Sequence, residues 1–176
     1  CRIRARHAVL AAGYETEGFL GRRLAQDNST YALATEPVGE LRGWPDRALI
    51  WETARPYFYL RTTPDNRILI GGLDEKDVSA ARRDTLLERK CRLLLERLRS
   101  MFPGLEPRVA SAWCGAFFNT RDSLPYIGQH PELPRLHVAL CYGGNGTTFS
   151  LVAAELLRDA MLGRRRPEAG LFAMGR

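Results

Sequence analysis

Residues 141–157, CYGGNGTTFSLVAAELL, run a glycine cluster straight into a helical pattern. Small residues ahead of a helix leave backbone N–H groups exposed and let a ligand come close. Gly143, Gly144, Asn145, Gly146 and Thr147 therefore suit an anion or an electron-rich polar edge. A second group lies in YFYLR, where strand alternation puts Tyr57, Tyr59 and Arg61 on one side, two aromatic walls and a cation able to fork onto a carboxylate. Gly13 closes the apolar run HAVLAA and marks a tight turn after a buried strand. Each group also has a plain structural reading: a turn before a helix, and a surface arginine beside half-buried tyrosines. His7, His130 and His137 have no carboxylate-and-nucleophile pattern around them, so no catalytic acid or base is assigned. Cys1, Cys91, Cys114 and Cys141 are irregularly spaced without a C-x-x-C pair, which points to reduced thiols rather than a zinc site or a disulfide framework.

The elements that must position these residues are legible from periodicity. HAVLAA reads as a strand, and STYALATEPV, ALIWE, PYFYLRTT and RILIGGLDE follow as strands, the last two joined by the turn residues PDN into a hairpin. The period then changes. Leu87, Cys91, Leu94, Leu95, Leu98, Met101 and Phe102 form one helical stripe, closed by Pro103 and Gly104, that packs on the sheet. Strand patterns resume at RVASAWCGAFF and LHVALCY, with NTRDSLPYIGQHPELP between them as a polar loop that Arg121 and Asp122 pair across or shape. The last helix starts near Gly146 and buries Phe149, Val152, Ala153, Leu156, Leu157, Ala160 and Met161. The fold class is α+β.

The 176 residues carry a net charge of +6, with 45% hydrophobic and 26% charged residues, a globular composition. No apolar run is long enough to span a bilayer and no charged-then-apolar leader opens the chain, so the expected compartment is the cytoplasm. The excess charge lies mostly in RRDTLLERKCRLLLERLR and Arg164–Arg166, as solvated helix faces and arginines at a helix C-terminus. A basic nucleic-acid-binding module is the rival reading of that charge, and nucleic acid is not the partner expected.

A strand ending in AAGY and a strand ending in CYGGNG are separated by about 120 residues of sheet and helix, one domain interrupted by another. This order, through HAVLAAGY, YALATEPV, PYFYLRTTPDNRILIGGLDE, WCGAFFNTRDSLPYIG and CYGGNGTTFS, resembles the C-terminal half of FAD-dependent oxidoreductases of the D-amino acid oxidase, glycine oxidase and sarcosine oxidase family. The resemblance implies residues 1–28 as strand and turn of an FAD-binding α/β domain. It implies 29–134 as a substrate domain of antiparallel sheet and long helix, and 135–176 as the FAD domain's last strand and helix. The G-x-G-x-x-G turn that cradles the pyrophosphate in such enzymes has no match here, so the chain is expected to be a C-terminal fragment that holds little FAD and is inactive alone.

The same resemblance assigns roles. Gly143, Gly144, Asn145, Gly146 and Thr147 would meet the pyrimidine edge of the flavin, and Gly13 the turn that approaches the FAD. Aligned without gaps, RDSLPYIG puts Phe117 where amino-acid-oxidising relatives commonly carry an arginine. Thr148 falls nearest the position of a lysine in sarcosine-type relatives. Both departures favour an amine, or an acid anchored elsewhere, with Arg61 the alternative anchor beside Tyr57 and Tyr59; Trp113 and Phe117 line the pocket. Gly115 stands where some relatives attach flavin through a cysteine, and Cys114 faces the other way, so no covalent attachment is expected. The implied reaction is oxidation of a C–N bond of a small-molecule amine or amino acid, with electrons passing to oxygen or an electron carrier. A non-catalytic assembly subunit of the same fold is the other alternative.

Overall fold

The computed structural model describes residues 2–21, 23–41, 43–76 and 79–176. In chain order the elements are β1 (Ala8–Leu10), a 3-10 turn (Gly13–Glu15), α1 (Thr16–Leu20), β2 (Gln26–Thr35), a second 3-10 turn (Pro45–Arg47), β3 (Ile50–Trp51), β4 (Phe58–Thr62), β5 (Ile68–Lys76), α2 (Ala80–Met101), β6 (Val109–Asn119), β7 (Tyr126–Gln129), β8 (Leu136–Leu140), α3 (Gly146–Met161) and a 3-10 turn (Pro167–Phe172). The class is α+β. Two compact units are present, one of residues 1–27 with 117–176 and one of residues 28–116.

The unit of residues 28–116 is built on a five-stranded sheet in the order β3-β4-β5-β2-β6, in which β3, β4, β5 and β2 pair antiparallel. Alternation decides its faces. Phe58 and Leu60 of β4, Ile68 and Ile70 of β5, and Tyr31 and Leu33 of β2 turn to one side, where Cys91, Leu94 and Leu98 of α2 seal them into a core. Ser79 caps α2, its hydroxyl accepting from the Arg82 amide at 3.4 Å. The stripe read from the sequence is the buried face, and Lys90 joins it. Burial of that ammonium is offset by hydrogen bonds to Glu75 Oε1 at 2.6 Å and to the Leu73 carbonyl at 2.8 Å.

β5 does not alternate throughout. Opposite β2, Tyr31 pairs with Gly72 but Ser29 pairs with Glu75, so β5 spends one extra residue there, a β-bulge. Leu73 adopts φ 55° and packs into the α2 core, as Gly72 does on strand register. Gly72 sits at φ 130°, and a Cβ there would lie 2.2 Å from the Tyr57 carbonyl oxygen. Only glycine fits.

The unit of residues 1–27 and 117–176 carries a three-stranded sheet in the order β1-β8-β7, with β1 parallel and β7 antiparallel to β8. Ile127 and Ala139 pack under Ala153, Leu156 and Leu157 of α3. Two expectations are corrected here. The segment 119–134 is not all loop, because Tyr126–Gln129 pairs with His137–Leu140 as β7; four residues with a glycine among them are too short to show a period. Ala160 is exposed, and Asp159 takes the buried place beside it. Asp159 is tolerated there because Arg158 at 2.9 Å and Arg166 at 3.0 Å neutralise it, with Arg164 at 3.7 Å. Part of the basic cluster at this helix end is thus used in ion pairs.

Gly72→Ala is expected to cost at least about 2 kcal/mol, since the new methyl meets backbone rather than a movable side chain. Urea denaturation of the purified protein measures it, and Gly39→Ala, where a Cβ meets nothing within 4 Å, is the control.

Candidate functional site

The glycine turn lies between β8 and α3. Gly143 adopts φ 58°, and its amide donates to the Phe118 carbonyl at 3.1 Å, which ties the turn to the end of β6. A Cβ on Gly143 would stand 2.6 Å from Asn119 Oδ1, so a side chain here would displace the Asn119 amide and sit in a conformation that favours glycine. The Asn145 amide donates to the Tyr142 carbonyl at 3.3 Å, and the first bond of the helix runs from the Phe149 amide to the Asn145 carbonyl at 3.0 Å. The amides of Gly146, Thr147 and Thr148 therefore precede the first intrahelical donor, and Asn145 makes no side-chain cap bond to them. Gly144, Asn145, Thr147 and Thr148 are exposed, and Gly146 has open space where a side chain would stand. Aligned amides at the positive end of a sixteen-residue helix, walled by small residues, fit an electron-rich ligand edge. Gly13 lies at φ 66° with nothing within 4 Å of a Cβ, so its need for glycine is conformational.

In the other unit, the sheet face away from α2 gathers an aromatic group. Tyr57 and Tyr59 are half-buried with ring centroids 6.3 Å apart, and Trp51 meets Tyr57 edge-on at 6.1 Å. Tyr59 lies against Gly71 of the paired strand, where a Cβ would stand 2.6 Å from its hydroxyl. Burial and the nearby Asp74 carboxylate both push the two phenols above their ordinary pKa. Arg61 follows on the same face by alternation, but it is exposed and donates to its neighbour's carbonyl, Thr62 O, at 3.4 Å.

Two residues on this face escaped the sequence reading. The Arg55 guanidinium stands 4.8 Å above the Tyr57 ring and 6.0 Å from that of Trp51. Asp74 is half-buried, and burial raises its pKa. The ARPY sequence ahead of the strand was the available signal for Arg55. Asp74 had none, because strict alternation with Ile68 and Ile70 puts it in the α2 core, and the bulge turns it to the tyrosines.

Phe117 is half-buried near the end of β6, Trp113 is 45% exposed, and the Cys114 thiol donates to Asp84 Oδ1 at 3.3 Å. Cys1 lies outside the described residues. His7 and His137 face each other, Nδ1 to Nε2 at 3.1 Å. A groove of about 340 Å³ lined by residues 36–40, 104–106 and 108 gathers none of the candidate residues. Among the described residues no group of three or more metal-ligating side chains occurs, and no helix is long and apolar enough to cross a membrane.

Residues 2–160 match the model of the DAO family, FAD dependent oxidoreductase. The chain belongs to this family. It is 28% identical over 162 residues to glycine oxidase of Bacillus licheniformis, covering 90% of this chain and 42% of the relative. It is 31% identical over 163 residues to glycine oxidase of Geobacillus kaustophilus strain HTA426, covering 88% and 40%. The chain thus spans about two fifths of the length of these relatives. Among solved structures, iminodiacetate oxidase from Chelativorans sp. BNC1 superposes with TM-score 0.77 at 18% identity, over 97% of this chain and 46% of that one, a likeness of fold. DAO-family proteins are FAD-dependent, and the family resemblance read from the motifs is borne out.

The RDSLPYIG stretch carries its own lock. Asp122 pairs with Arg176 Nε at 2.6 Å, accepts from the Leu124 amide at 3.1 Å and from Thr120 Oγ1 at 3.0 Å, while Arg121 is exposed. Asp122 therefore shapes the loop with Arg176 as its ion-pair partner. The Arg176 guanidinium holds its carboxyl well below the usual carboxylate range. A depressed folded pKa means stability that is present above the unfolded value, near about 4, and lost as pH falls through the folded one. Asp122→Asn is expected to lower stability at pH 7 by about 1 kcal/mol or less, the pair being partly exposed, with the difference from wild type shrinking below about pH 4. Denaturant melts across pH 2–7 check this.

Proposed function

We propose that the intact enzyme oxidises the C–N bond of an amine by hydride transfer to FAD, and that this chain supplies the substrate domain and part of the FAD-binding domain. The observation that carries the reading is the glycine turn leading into the open N-terminus of α3. Gly143, Gly144, Asn145, Gly146 and Thr147 would hold the pyrimidine edge of the flavin, with Gly13 at a second close backbone approach. When bound, flavin supplies the hydride acceptor.

The chain's own residues do the rest. Negative charge on the pyrimidine edge would be stabilised by the α3 amides and the helix dipole. Tyr57 and Tyr59 orient the substrate and keep water from it. The amine must be unprotonated to lose hydride, and water hydrolyses the resulting imine, so no acid–base dyad is required. Phe117 and Thr148 stand where the family resemblance places cationic groups in relatives that take amino acids. An amine without an α-carboxylate is therefore the preferred substrate, or one whose acid reaches Arg61. Oxygen or an electron carrier takes the electrons.

Two outcomes follow. Residues 1–176 purified alone, incubated with FAD and desalted, are expected to be colourless; a yellow preparation with stoichiometric flavin overturns the division of labour. In flavin-loaded protein from the complete reading frame, stopped-flow bleaching is expected to be faster with alkylamines than with glycine, sarcosine or D-amino acids. Loss of a buried charged partner for a carboxylate costs about 2–5 kcal/mol, roughly thirty-fold to several-thousand-fold in binding. If glycine or sarcosine reduces the flavin best and Arg61→Ala changes nothing, the amine preference and the Arg61 anchor both fall.

A further inference from the structure

Asp74 has the features of a carboxylate built to meet a cation. Its Oδ1 is sealed from solvent and accepts no hydrogen bond. Leaving a buried acceptor unmade is costly, and an N–H donor that reaches it recovers that cost. The charged groups around it are already engaged: Lys90 of α2 bonds to Glu75 and the Leu73 carbonyl, and Arg55 lies over Tyr57 and Trp51. Both contribute only long-range attraction, since no ion pair within 4.0 Å to Asp74 forms among the described residues. Tyr57, just ahead of β4, and Tyr59 of β4 feel its charge from the same face, and aromatic faces favour an ammonium group.

We propose that Asp74, on the tyrosine-lined face of the sheet, is the recognition group for the ammonium of the substrate amine. The carboxylate takes the N–H donors of the incoming ammonium and accepts its proton, leaving the neutral amine that hydride loss requires, while the Tyr57 and Tyr59 rings flank the alkyl part. This rests on the amine-oxidising reading, and it names the substrate class as alkylammonium ions. The bulge serves this role, since without it Asp74 would point into the α2 core.

The test uses flavin-loaded protein from the complete reading frame and tert-butylammonium, which has no α-C–H to lose, with tert-butanol as neutral isostere. Calorimetry is expected to show binding of the cation weakened about ten- to a hundredfold in Asp74→Asn, with the alcohol bound weakly and equally by both. Wild-type affinity is expected to rise with pH through a value above about 4, as the carboxyl ionises, and then level; Asp74→Asn is expected to be flat over that range. Asp74→Glu, which keeps the charge, retains the preference for cation over alcohol. Equal affinity in wild type and Asp74→Asn at unchanged flavin content overturns the inference, as does tert-butanol binding as tightly as the cation. If alkylamines bleach the flavin and Asp74→Asn does not alter their KM, the inference fails while the amine reading stands. If no amine bleaches it, the amine reading falls and takes the substrate role of Asp74 with it, even where tert-butylammonium binding depends on Asp74.

Discussion

The one-residue bulge in β5 is the constraint on which the chemistry of the unit 28–116 depends. A strand assigns every side chain to a face by parity, and one extra residue reverses all assignments beyond it. Here Gly72 and Leu73 both fall on the α2 side, so Asp74 emerges among the tyrosines and Glu75 returns to meet Lys90. The bulge is possible because Gly72 brings its Cα against the Tyr57 carbonyl. Gly71 next to it gives the Tyr59 ring its place, so adjacent glycines serve two purposes on opposite faces.

The other unit follows a similar logic with a helix end instead of a strand. Gly143 must reverse the chain tightly after β8, bond to Phe118 and pass beside Asn119. Having done so, it delivers α3 with its first amides unspent. A capping side chain at Asn145 would have consumed one of them, and none does. An open N-terminus forgoes roughly 0.5–2 kcal/mol of capping stability. Leaving it so is consistent with a ligand taking the donors.

Membership of the FAD-dependent DAO family accounts for the combination of an interrupted order of elements with little acid–base machinery, because the cofactor brings the hard chemistry. In the proposed reading Phe117 and Thr148 offer no cation to a carboxylate, Arg61 is exposed, and Arg55 and Asp74 lie on the tyrosine face. That balance is what turns the reading from an acid toward an amine.

Much of this was legible in the linear chain. Period-2 patterns located the hairpin and the tyrosine face, period-3.6 patterns located both long helices, and the order of motifs identified the family, since each signal is carried by neighbouring residues. β7 and the Asp122–Arg176 pair were not legible, because the one is too short to show a period and the other joins residues distant in sequence, and Asp159 was missed because periodicity of apolar residues does not register a carboxylate buried by nearby arginines. Asp74 makes the distinction sharpest. The sequence by itself determined that a carboxylate follows two glycines in a strand. Only the pairing of β5 with β2 and β4 decided which way it points, because a bulge is created by hydrogen-bond register between strands and leaves no periodic mark in the strand that carries it.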